Sequence, residues 1–472
     1  MADRPNIIYI MADDMGYGDL GCYGAETTPT PNVDAVAAAG MRFTDAHASS
    51  AVCTPSRYSV LTGRYCWRTR HKRGVIWTFA PPLIDPARPT VASLLQAAGY
   101  ATAAVGKWHV GLDWQAKGGH VINPEARADE GDVDYTRPFL GGPTQLGFDH
   151  FFGIAGSLDM PPYCFLENDR VAELPTEEKA PYNPQQKAGF MSPGWRDEDV
   201  DVRHAERAVA WLENHVAARP DQPFFLYLTP SAPHRPCMPP EFARGASRAG
   251  PRGDMVCVMD WVVGQITHAL ERLGKTNDTL LLITSDNGAQ PFDVDGNTWG
   301  HLSCGELRGY KTHIWEGGHR VPLIARWPGH VPAGTTCEQT VGLIDLLGTC
   351  CELTGGDLPA AGAEDTVSLA PHLLGRTNEP SRRCIVHHSS RGLFALRQDR
   401  WKAVFGHGGG GNANLPARDQ NDDLPGQLYD MADDWRETTN CWAEKPELIA
   451  EMAARLDRHR EAGRSREDCT AR

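Results

Sequence analysis

Residues 6–14 read Asn6-Ile7-Ile8-Tyr9-Ile10-Met11-Ala12-Asp13-Asp14, a short apolar run that ends in two aspartates. Three later apolar runs, over residues 101–105, 224–228 and 280–283, share this design. Polar residues follow each of them: Gly106-Lys107-Trp108-His109, Ser231-Ala232-Pro233-His234 and Ser285-Asp286-Asn287. Continuous apolar runs of this length are typical of strands that are buried on both faces, as in a parallel sheet.

Helical patterns lie between these runs. Periodic apolar residues cover 33–39, 91–98, 202–218 and 255–273, and a glycine follows three of these stretches, where helices commonly stop. Strands that alternate with helices predict an α/β fold with a large, mostly parallel sheet sandwiched by helices. Ligands of such sheets bind beyond the carboxyl ends of the strands, so the four polar segments are expected to converge on one edge.

The character of the sequence changes at about residue 357. Residues 383–386, 392–397 and 401–405 are predicted as short strands, and 447–459 as an amphipathic helix. Residues 406–426 are rich in Gly, Asn, Asp and Pro, which predicts a mobile loop. We therefore predict a large catalytic domain over residues 1–356 and a smaller α+β domain over 357–472, with antiparallel strands and a helix.

The chain is acidic: it has 472 residues, with 46 Lys and Arg against 60 Asp and Glu, and a formal net charge of −14. No basic stripe is visible, which argues against nucleic acid as a partner. No apolar run approaches the roughly 20 residues that a membrane-spanning helix needs. Residues 1–5 lack a leader pattern, so the sequence as it stands predicts a cytoplasmic protein, or a periplasmic or secreted one whose leader has been removed.

Thirteen cysteines are scattered along the chain without the paired C-x-x-C pattern of a zinc site. An odd number leaves at least one unpaired. Cys350 and Cys351 are adjacent within an apolar helical stretch, which favours burial as small hydrophobic residues. The cysteines are therefore predicted to be mainly reduced thiols.

Acidic and amide side chains end two of the predicted strands. Three carboxylates and an amide carbonyl at one sheet edge would repel each other unless a cation neutralised them. Oxygen ligands select a hard ion, which favours Ca²⁺, with Mg²⁺ as the second choice. The alternative is that Asp13-Asp14 caps a turn and that Asp286-Asn287-Gly288 forms a tight one. The predicted ligands are Asp13, Asp14, Asp286 and Asn287.

Cys53 begins the segment Cys53-Thr54-Pro55-Ser56-Arg57, which leads into a helix-like stretch. Pro55 suits a first helical turn, and a helix N-terminus beside Arg57 favours an anion. A lone cysteine at such a place is expected to be acidified and reactive. The alternative is a buried structural cysteine.

These segments resemble the formylglycine-dependent sulfatases, arylsulfatase-like members of the alkaline phosphatase superfamily. Cys53-x-Pro55-Ser56-Arg57-x-x-x-x-Thr62-Gly63 is similar to one signature of that family, and Gly99-Tyr100-x-Thr102-x-x-x-Gly106-Lys107-x-His109 to the other. The resemblance extends from residue 5 to about residue 330, and more weakly beyond. Further matching segments are 5–14, Ala232-Pro233-His234, Ser285-Asp286-Asn287-Gly288, and Lys311 upstream of Glu316-Gly317-Gly318.

The resemblance implies an alkaline-phosphatase-like fold and hydrolysis of sulfate monoesters, of a sulfated carbohydrate or of aryl sulfates. Cys53 would be oxidised to formylglycine by a formylglycine-generating enzyme, and one hydroxyl of the hydrated aldehyde would attack sulfur. Formylglycine would also join Asp13, Asp14, Asp286 and Asn287 around Ca²⁺. The other implied catalytic residues are Arg57, His109, Lys107, His234 and Lys311.

Each of those residues has an implied role. Arg57 would stabilise the formylglycine hydrate and His109 would assist its turnover. Lys107, His234 and Lys311 would contact the sulfate and its leaving oxygen. Because sulfate transfer spreads negative charge over several oxygens, cations that converge on one pocket suit this chemistry.

Two other functions remain open at this point. A phosphonate monoester or phosphodiester hydrolase of the same superfamily would share the metal site, and a non-catalytic protein that binds sulfated glycans would keep the pocket with Cys53 unmodified. Aromatic residues in nearby loops are candidates for stacking on a sugar ring, with ordinary packing as the alternative. The specificity candidates are Trp77, Trp108, Trp299 and His301, with Trp114 and Trp315 as further aromatic residues.

Overall fold

The computed structural model describes residues 4–129, 131–290, 299–359, 362–411 and 423–470. The strands are β1 (Asn6–Ala12), β2 (Met41–Phe43), β3 (Ala46–His47), β4 (Ala101–Lys107), β5 (His150–Ile154), β6 (Leu166–Glu167), β7 (Arg170–Val171), β8 (Glu177–Lys179), β9 (Gly189–Met191), β10 (Phe224–Thr229), β11 (Thr279–Ser285), β12 (Leu323–Arg326), β13 (Thr335–Cys337), β14 (Val341–Gly342), β15 (Cys384–His388), β16 (Phe394–Gln398), β17 (Trp401–Val404) and β18 (Gln427–Asp430). The helices are α1 (Pro31–Ala38), α2 (Cys53–Thr62), α3 (Val91–Ala97), α4 (Val200–Ala218), α5 (Gly250–Arg272), α6 (Glu316–His319), α7 (Leu346–Leu353), α8 (Ala370–Leu373), α9 (Pro446–Glu461) and α10 (Arg466–Cys469).

The large sheet is centred on β1. Its spatial order is β13-β2-β12-β11-β1-β10-β4-β5-β6-β7. The four apolar runs found in the sequence are β11, β1, β10 and β4, which are adjacent and mutually parallel. The strands around them include antiparallel ones, such as β12 beside β11. The predicted α/β class with a mostly parallel sheet is confirmed, and the carboxyl ends of the four runs meet at one edge.

Both faces of this sheet are covered by helices, which explains why β1 has no polar face. Ile7, Tyr9 and Met11 lie in a core with residues of α2, α3 and α7. Ile8 and Ile10 point the other way and pack against residues of α4 and α5. Every residue of β1 is buried. Alternate side chains therefore fill two separate apolar layers, as in a sheet sandwiched by helices.

The C-terminal part contains a four-stranded antiparallel sheet, β15-β16-β17-β18, with α9 packed on it. The three predicted strands and the predicted helix are present, and their ends differ from the prediction by at most two residues. Strand β18 was missed because it is short and follows the Gly-rich segment. Residues 412–422 of the predicted loop over 406–426 lie outside the described residues, and the domain boundary near 356 stays a prediction.

One disulfide joins Cys384 of β15 to Cys469 of α10. No sequence pattern indicated this pair, because the two cysteines are 85 residues apart and belong to no spaced motif. The other eleven cysteines are reduced thiols outside this disulfide, as predicted for most of them. Among the described helices, none has the length and apolar character needed to cross a bilayer.

Candidate active site

Three carboxylates lie together at the carboxyl edge of the large sheet. Asp13 and Asp14 follow β1, and Asp286 follows the neighbouring β11, whose Ser285 pairs with Ala12. The backbone N–H of Asp14 donates to Oδ1 of Asp286 over 3.2 Å. Asp14 has a φ of 65°, a left-handed conformation that is strained for a residue with a side chain. The chain turns sharply here and directs both aspartates into the same buried space.

Three cations surround these carboxylates. Nζ of Lys107, the last residue of β4, is 2.5 Å from Oδ2 of Asp13. Nζ of Lys311 is 2.6 Å from Oδ2 of Asp14. Arg57 of α2 donates from Nε to Oδ2 of Asp286 over 2.9 Å. These side chains are nearly or fully buried, so their charges act on one another with little screening by solvent.

The pKa values of the site follow from this crowding. Burial alone would raise the pKa of Asp13, but the surrounding cations, with Lys107 first among them, hold it well below its usual range. For Asp286 burial prevails over the attraction of Arg57, and its pKa is raised. Burial would lower the pKa of Lys311, but Asp14 and the other anions raise it above its usual value. The lysine is therefore a permanent positive charge.

The donor atoms fit a hard divalent cation. Oδ1 of Asn287 is buried and accepts no hydrogen bond from any described residue, although its Nδ2 donates to Oδ1 of Asp14 over 2.7 Å. Such an unused buried oxygen is costly unless a cation uses it. Asp13, Asp14, Cys53 and His234 offer ligand atoms within 4.8 Å of one another. Together with the neighbouring carboxylate of Asp286 and Oδ1 of Asn287, the oxygens of Asp13 and Asp14 make a donor set that fits Ca²⁺ or Mg²⁺.

Cys53 is the first residue of α2 and points into this cluster. Its Sγ is 3.3 Å from Oδ1 of Asp13 and 3.9 Å from Oδ1 of Asp14. The expectation of an acidified thiol is wrong: burial and the facing carboxylates raise the pKa of Cys53 well above its usual value. An unmodified Cys53 is therefore a protonated thiol, and a poor nucleophile, despite its place at a helix N-terminus.

The two predicted histidines have different partners. Nε2 of His109 is 3.0 Å from the carbonyl oxygen of Ile76, while its buried Nδ1 has no partner within the described parts of the chain. Burial and nearby cations hold the pKa of His109 well below its usual value, so the ring is neutral. His234 places Nε2 3.6 Å from Oδ2 of Asp14, and its Nδ1 is 2.8 Å from the Arg235 carbonyl.

A family model for sulfatases matches residues 5–356. The chain belongs to the sulfatase family. The N-acetylgalactosamine-6-O-sulfatase of Bacteroides thetaiotaomicron is 33% identical over 97% of this chain and 93% of its own. Human arylsulfatase A is 34% identical over 93% of this chain and 84% of its own.

Solved structures agree with this assignment. A B. thetaiotaomicron sulfatase from a study of the metabolism of multiple glycosaminoglycans superposes on this sulfatase with a TM-score of 0.83. It is 30% identical and covers 97% of this chain and 100% of that one. The phosphonate monoester hydrolase of Agrobacterium radiobacter shares the fold, with 22% identity and a TM-score of 0.57. The match covers 96% of this chain and 95% of that one. The alkaline-phosphatase-like architecture predicted from the resemblance is confirmed.

The specificity candidates of this sulfatase lie in different surroundings. Trp108 is 1% exposed and packs in the core between Phe148 and Phe151, so its ring offers no surface to a substrate. Trp77 is half-buried beneath the guanidinium of Arg127. Trp299 is 52% exposed at the surface.

His301 has a structural setting. Its Nε2 is 2.8 Å from Oδ1 of Asp19, and its Nδ1 is 2.7 Å from Oγ1 of Thr27. Asp19 also binds Arg252, whose Nη2 donates to the backbone carbonyl of Asp14 over 2.8 Å. The His301 ring therefore supports the turn at Asp14 indirectly, through Asp19 and Arg252. Trp114 and Trp315 are likewise buried, and both donate their indole N–H within the protein.

Ser157 was missed by the sequence analysis. It follows β5, the parallel neighbour of β4, and so lies at the same sheet edge as Lys107. Its hydroxyl is buried and has no hydrogen-bond partner in the described structure. Two residues later, Asp159 accepts from Nε of Arg235, next to His234. Ser157 could have been found from the sequence, because the apolar residues of β5 are also followed by polar residues, as in the four runs described above.

A second buried cluster joins His47, His319 and His387, which offer ligand nitrogens within 4.8 Å of one another. The rings of His319 and His387 are stacked, with centroids 3.9 Å apart and planes 11° from parallel. A histidine binds a metal through a nitrogen lone pair in its ring plane, and two stacked rings do not direct such lone pairs to one point. This geometry fits packing better than metal ligation.

Proposed function

We propose that this sulfatase hydrolyses sulfate monoesters of a carbohydrate, with formylglycine formed from Cys53 as nucleophile and Ca²⁺ bound by Asp13, Asp14, Asp286 and Asn287. The observation that carries the proposal is the burial of Cys53 among three carboxylates and three cations at one sheet edge. The protonated thiol itself is a poor nucleophile, which supports a modified residue at this position. The modification would need a formylglycine-generating enzyme as a partner during maturation.

Formylglycine and Ca²⁺ would supply the nucleophile and part of the charge stabilisation. When present, formylglycine provides a hydrated aldehyde, and Ca²⁺ polarises a sulfate oxygen. Arg57 lies against both Asp13 and Asp286, so it is placed to hold the hydrated side chain at position 53 in one orientation. Lys107 and Lys311 direct their ammonium groups at Asp13 and Asp14, where they would also meet the oxygens of a sulfate group.

The two histidines are suited to different proton transfers. The neutral His109 keeps an unprotonated Nδ1, which can accept a proton from position 53 during turnover. His234 faces Asp14 with Nε2 and lies beside Lys311, where it would contact the leaving oxygen of the ester. These roles follow the family resemblance residue by residue.

A carbohydrate substrate is supported by the relatives. The first of them is named for N-acetylgalactosamine 6-sulfate, and it matches nearly the full length of both chains. We expect kcat/KM on N-acetylgalactosamine 6-sulfate to exceed that on the 4-sulfate by at least about tenfold. Hydrolysis requires the sulfate ester to meet the catalytic residues in one orientation, and a sugar bound for reaction at position 6 would hold a 4-sulfate in a different one. A panel of sulfated sugars with nitrophenyl sulfate as reference would measure this ratio.

The same panel distinguishes sulfate ester hydrolysis from hydrolysis of phosphodiesters or phosphonate monoesters. Nitrophenyl phosphate diesters and a phosphonate monoester would be included, because the phosphonate monoester hydrolase shares the fold. A preference for either of them over every sulfate ester, by orders of magnitude, would overturn the proposed reaction. Binding of sulfated sugars without turnover of any ester would favour a non-catalytic protein.

Metal removal should destabilise the protein as well as inactivate it. Three clustered carboxylates lose their counter-ion when a chelator takes Ca²⁺ away, so the free energy of unfolding should fall. A ligand at 100 times its Kd contributes about 2.7 kcal/mol, which sets the expected scale. Differential scanning calorimetry with EGTA, then with Ca²⁺ or Mg²⁺ restored, measures the effect. Equal melting temperatures in all three conditions would contradict the metal assignment.

A further inference from the structure

Lys402 is a fully buried lysine in β17, within the C-terminal sheet, and it reaches into the large domain. Its Nζ is 2.9 Å from Oε1 of Glu316, 2.7 Å from Oε1 of Glu437 and 3.1 Å from Nε2 of His319. The ammonium group donates a hydrogen bond to Glu316 and pairs with the carboxylate of Glu437. A buried charge with this many partners is held in one place.

Glu316 is the residue that connects Lys402 to the catalytic half. It begins α6 in the Glu316-Gly317-Gly318 segment, and its side chain also lies 3.4 Å from Nη1 of Arg320. Its backbone N–H donates to Oε2 of Glu437 over 2.7 Å. Side chain and backbone of Glu316 are therefore both fixed by groups that Lys402 holds together.

The two glycines after Glu316 touch the segment that carries Asn287. The N–H of Gly288 donates to the carbonyl of Gly318 over 2.9 Å. A Cβ added to Gly288 would lie 1.8 Å from the carbonyl oxygen of Gly317, so the two backbones approach as closely as glycine allows. The position of the Glu316 turn therefore sets the position of Gly288.

Gly288 in turn orients the amide of Asn287. The carbonyl of Gly288 accepts from Nδ2 of Asn287 over 2.9 Å, and because the amide group is planar this bond also orients the buried Oδ1. On the other side of this turn, the N–H of Lys311 donates to the carbonyl of Ala289 over 2.8 Å. One short segment thus places both a candidate metal ligand and a candidate sulfate-binding lysine.

We propose that Lys402 and Glu316 are positioning residues for the metal site: the ion pair from the C-terminal sheet holds the Glu316-Gly317-Gly318 turn against Gly288 and so fixes Oδ1 of Asn287. This inference rests on the proposed Ca²⁺ site. It assigns the C-terminal sheet a part in the metal affinity of the active site. Groups that act on a metal through its ligands commonly change affinity by about 10–100-fold.

The test compares Lys402→Met with Arg382→Met. Arg382 is paired with Asp345 in an equally buried ion pair, which has no contact with the Asn287 segment in the described structure. Calcium affinity would be measured by isothermal titration calorimetry on EGTA-treated protein, alongside the melting temperature. We expect both variants to melt at lower temperature, and only Lys402→Met to bind Ca²⁺ about tenfold more weakly.

Lys402→Met leaves two buried glutamates without their counter-ion and will fold poorly if that cost is large. Glu316→Gln keeps the size of the side chain and an acceptor for Lys402, and we expect it to weaken Ca²⁺ binding about threefold. A folded Lys402→Met or Glu316→Gln protein with wild-type affinity would overturn the inference. Equal loss of affinity in Arg382→Met would do so too. A wild-type protein that binds no Ca²⁺ would instead remove the metal site proposed above.

Discussion

Replacing Cys53 by alanine should abolish hydrolysis of sulfate esters while the protein still folds. Removal of a covalent nucleophile lowers kcat by up to about 10⁶-fold when the other catalytic residues act only together with it. The side chain lies at the start of α2 and contacts the carboxylates of Asp13 and Asp14, so its loss leaves the two core layers of the sheet intact. Steady-state kinetics and a thermal melt of the same preparation would measure both effects.

Cys350→Ala is the matched control for this variant. Cys350 is also fully buried, but it lies in α7 within the apolar core and faces none of the charged groups at the sheet edge. We expect it to reduce stability by about 1 kcal/mol and to leave kcat/KM nearly unchanged. Wild-type rates in Cys53→Ala would remove Cys53 from the mechanism, whatever the control shows.

Asp286→Asn should cause the second largest loss of activity, because it weakens the binding of the metal ion. The substitution keeps the size of the side chain and an oxygen for Arg57, but it removes one negative charge from the proposed ligand set. We expect Ca²⁺ affinity to fall by about 100-fold or more, because this residue would contact the ion directly. Turnover should fall with it and recover in part at high Ca²⁺ concentration. Titration calorimetry and kinetics over a range of Ca²⁺ would measure this.

Asp260→Asn provides the control for the loss of a buried carboxylate. Asp260 lies in α5, where it accepts from the backbone N–H of Val33 and from Nδ2 of Asn32. Asp260→Asn removes a buried acceptor and a charge outside the proposed ligand set, so we expect it to lower stability and to leave Ca²⁺ affinity unchanged. Unchanged Ca²⁺ content in Asp286→Asn, or an equal loss in Asp260→Asn, would count against the metal role of Asp286.

The sheet and its functional edge could be predicted because strands that are buried on both faces consist mainly of apolar residues, which is easily recognised in the sequence. Strands β1, β4, β10 and β11 have no polar face, so each appears as an uninterrupted apolar run. The residues directly after these runs, such as Asp13, Lys107 and Asp286, therefore had to share one edge. Arg57 and Lys311 lie away from the ends of those runs, and only the family resemblance placed them at the site.

Other features left no local signal. Trp108 lies between two site residues, but successive side chains of an extended chain point to opposite faces, which sends its ring into the core beside Phe148. The pKa of the Cys53 thiol is raised first by burial and then by carboxylates from distant parts of the chain, such as that of Asp13. Lys402 stands in a strand of otherwise ordinary pattern, and its buried partners come from a distant turn. Long-range charge pairing of this kind is visible only in three dimensions.

The mass of the tryptic peptide over residues 43–57 tests the central claim most directly. Conversion of the Cys53 thiol to formylglycine replaces sulfur by a carbonyl oxygen, so the peptide should be about 18 Da lighter than its sequence mass. We predict this lighter form in active preparations, with kcat proportional to its fraction. A fully active preparation in which the peptide keeps the mass of an intact cysteine would contradict the proposed mechanism.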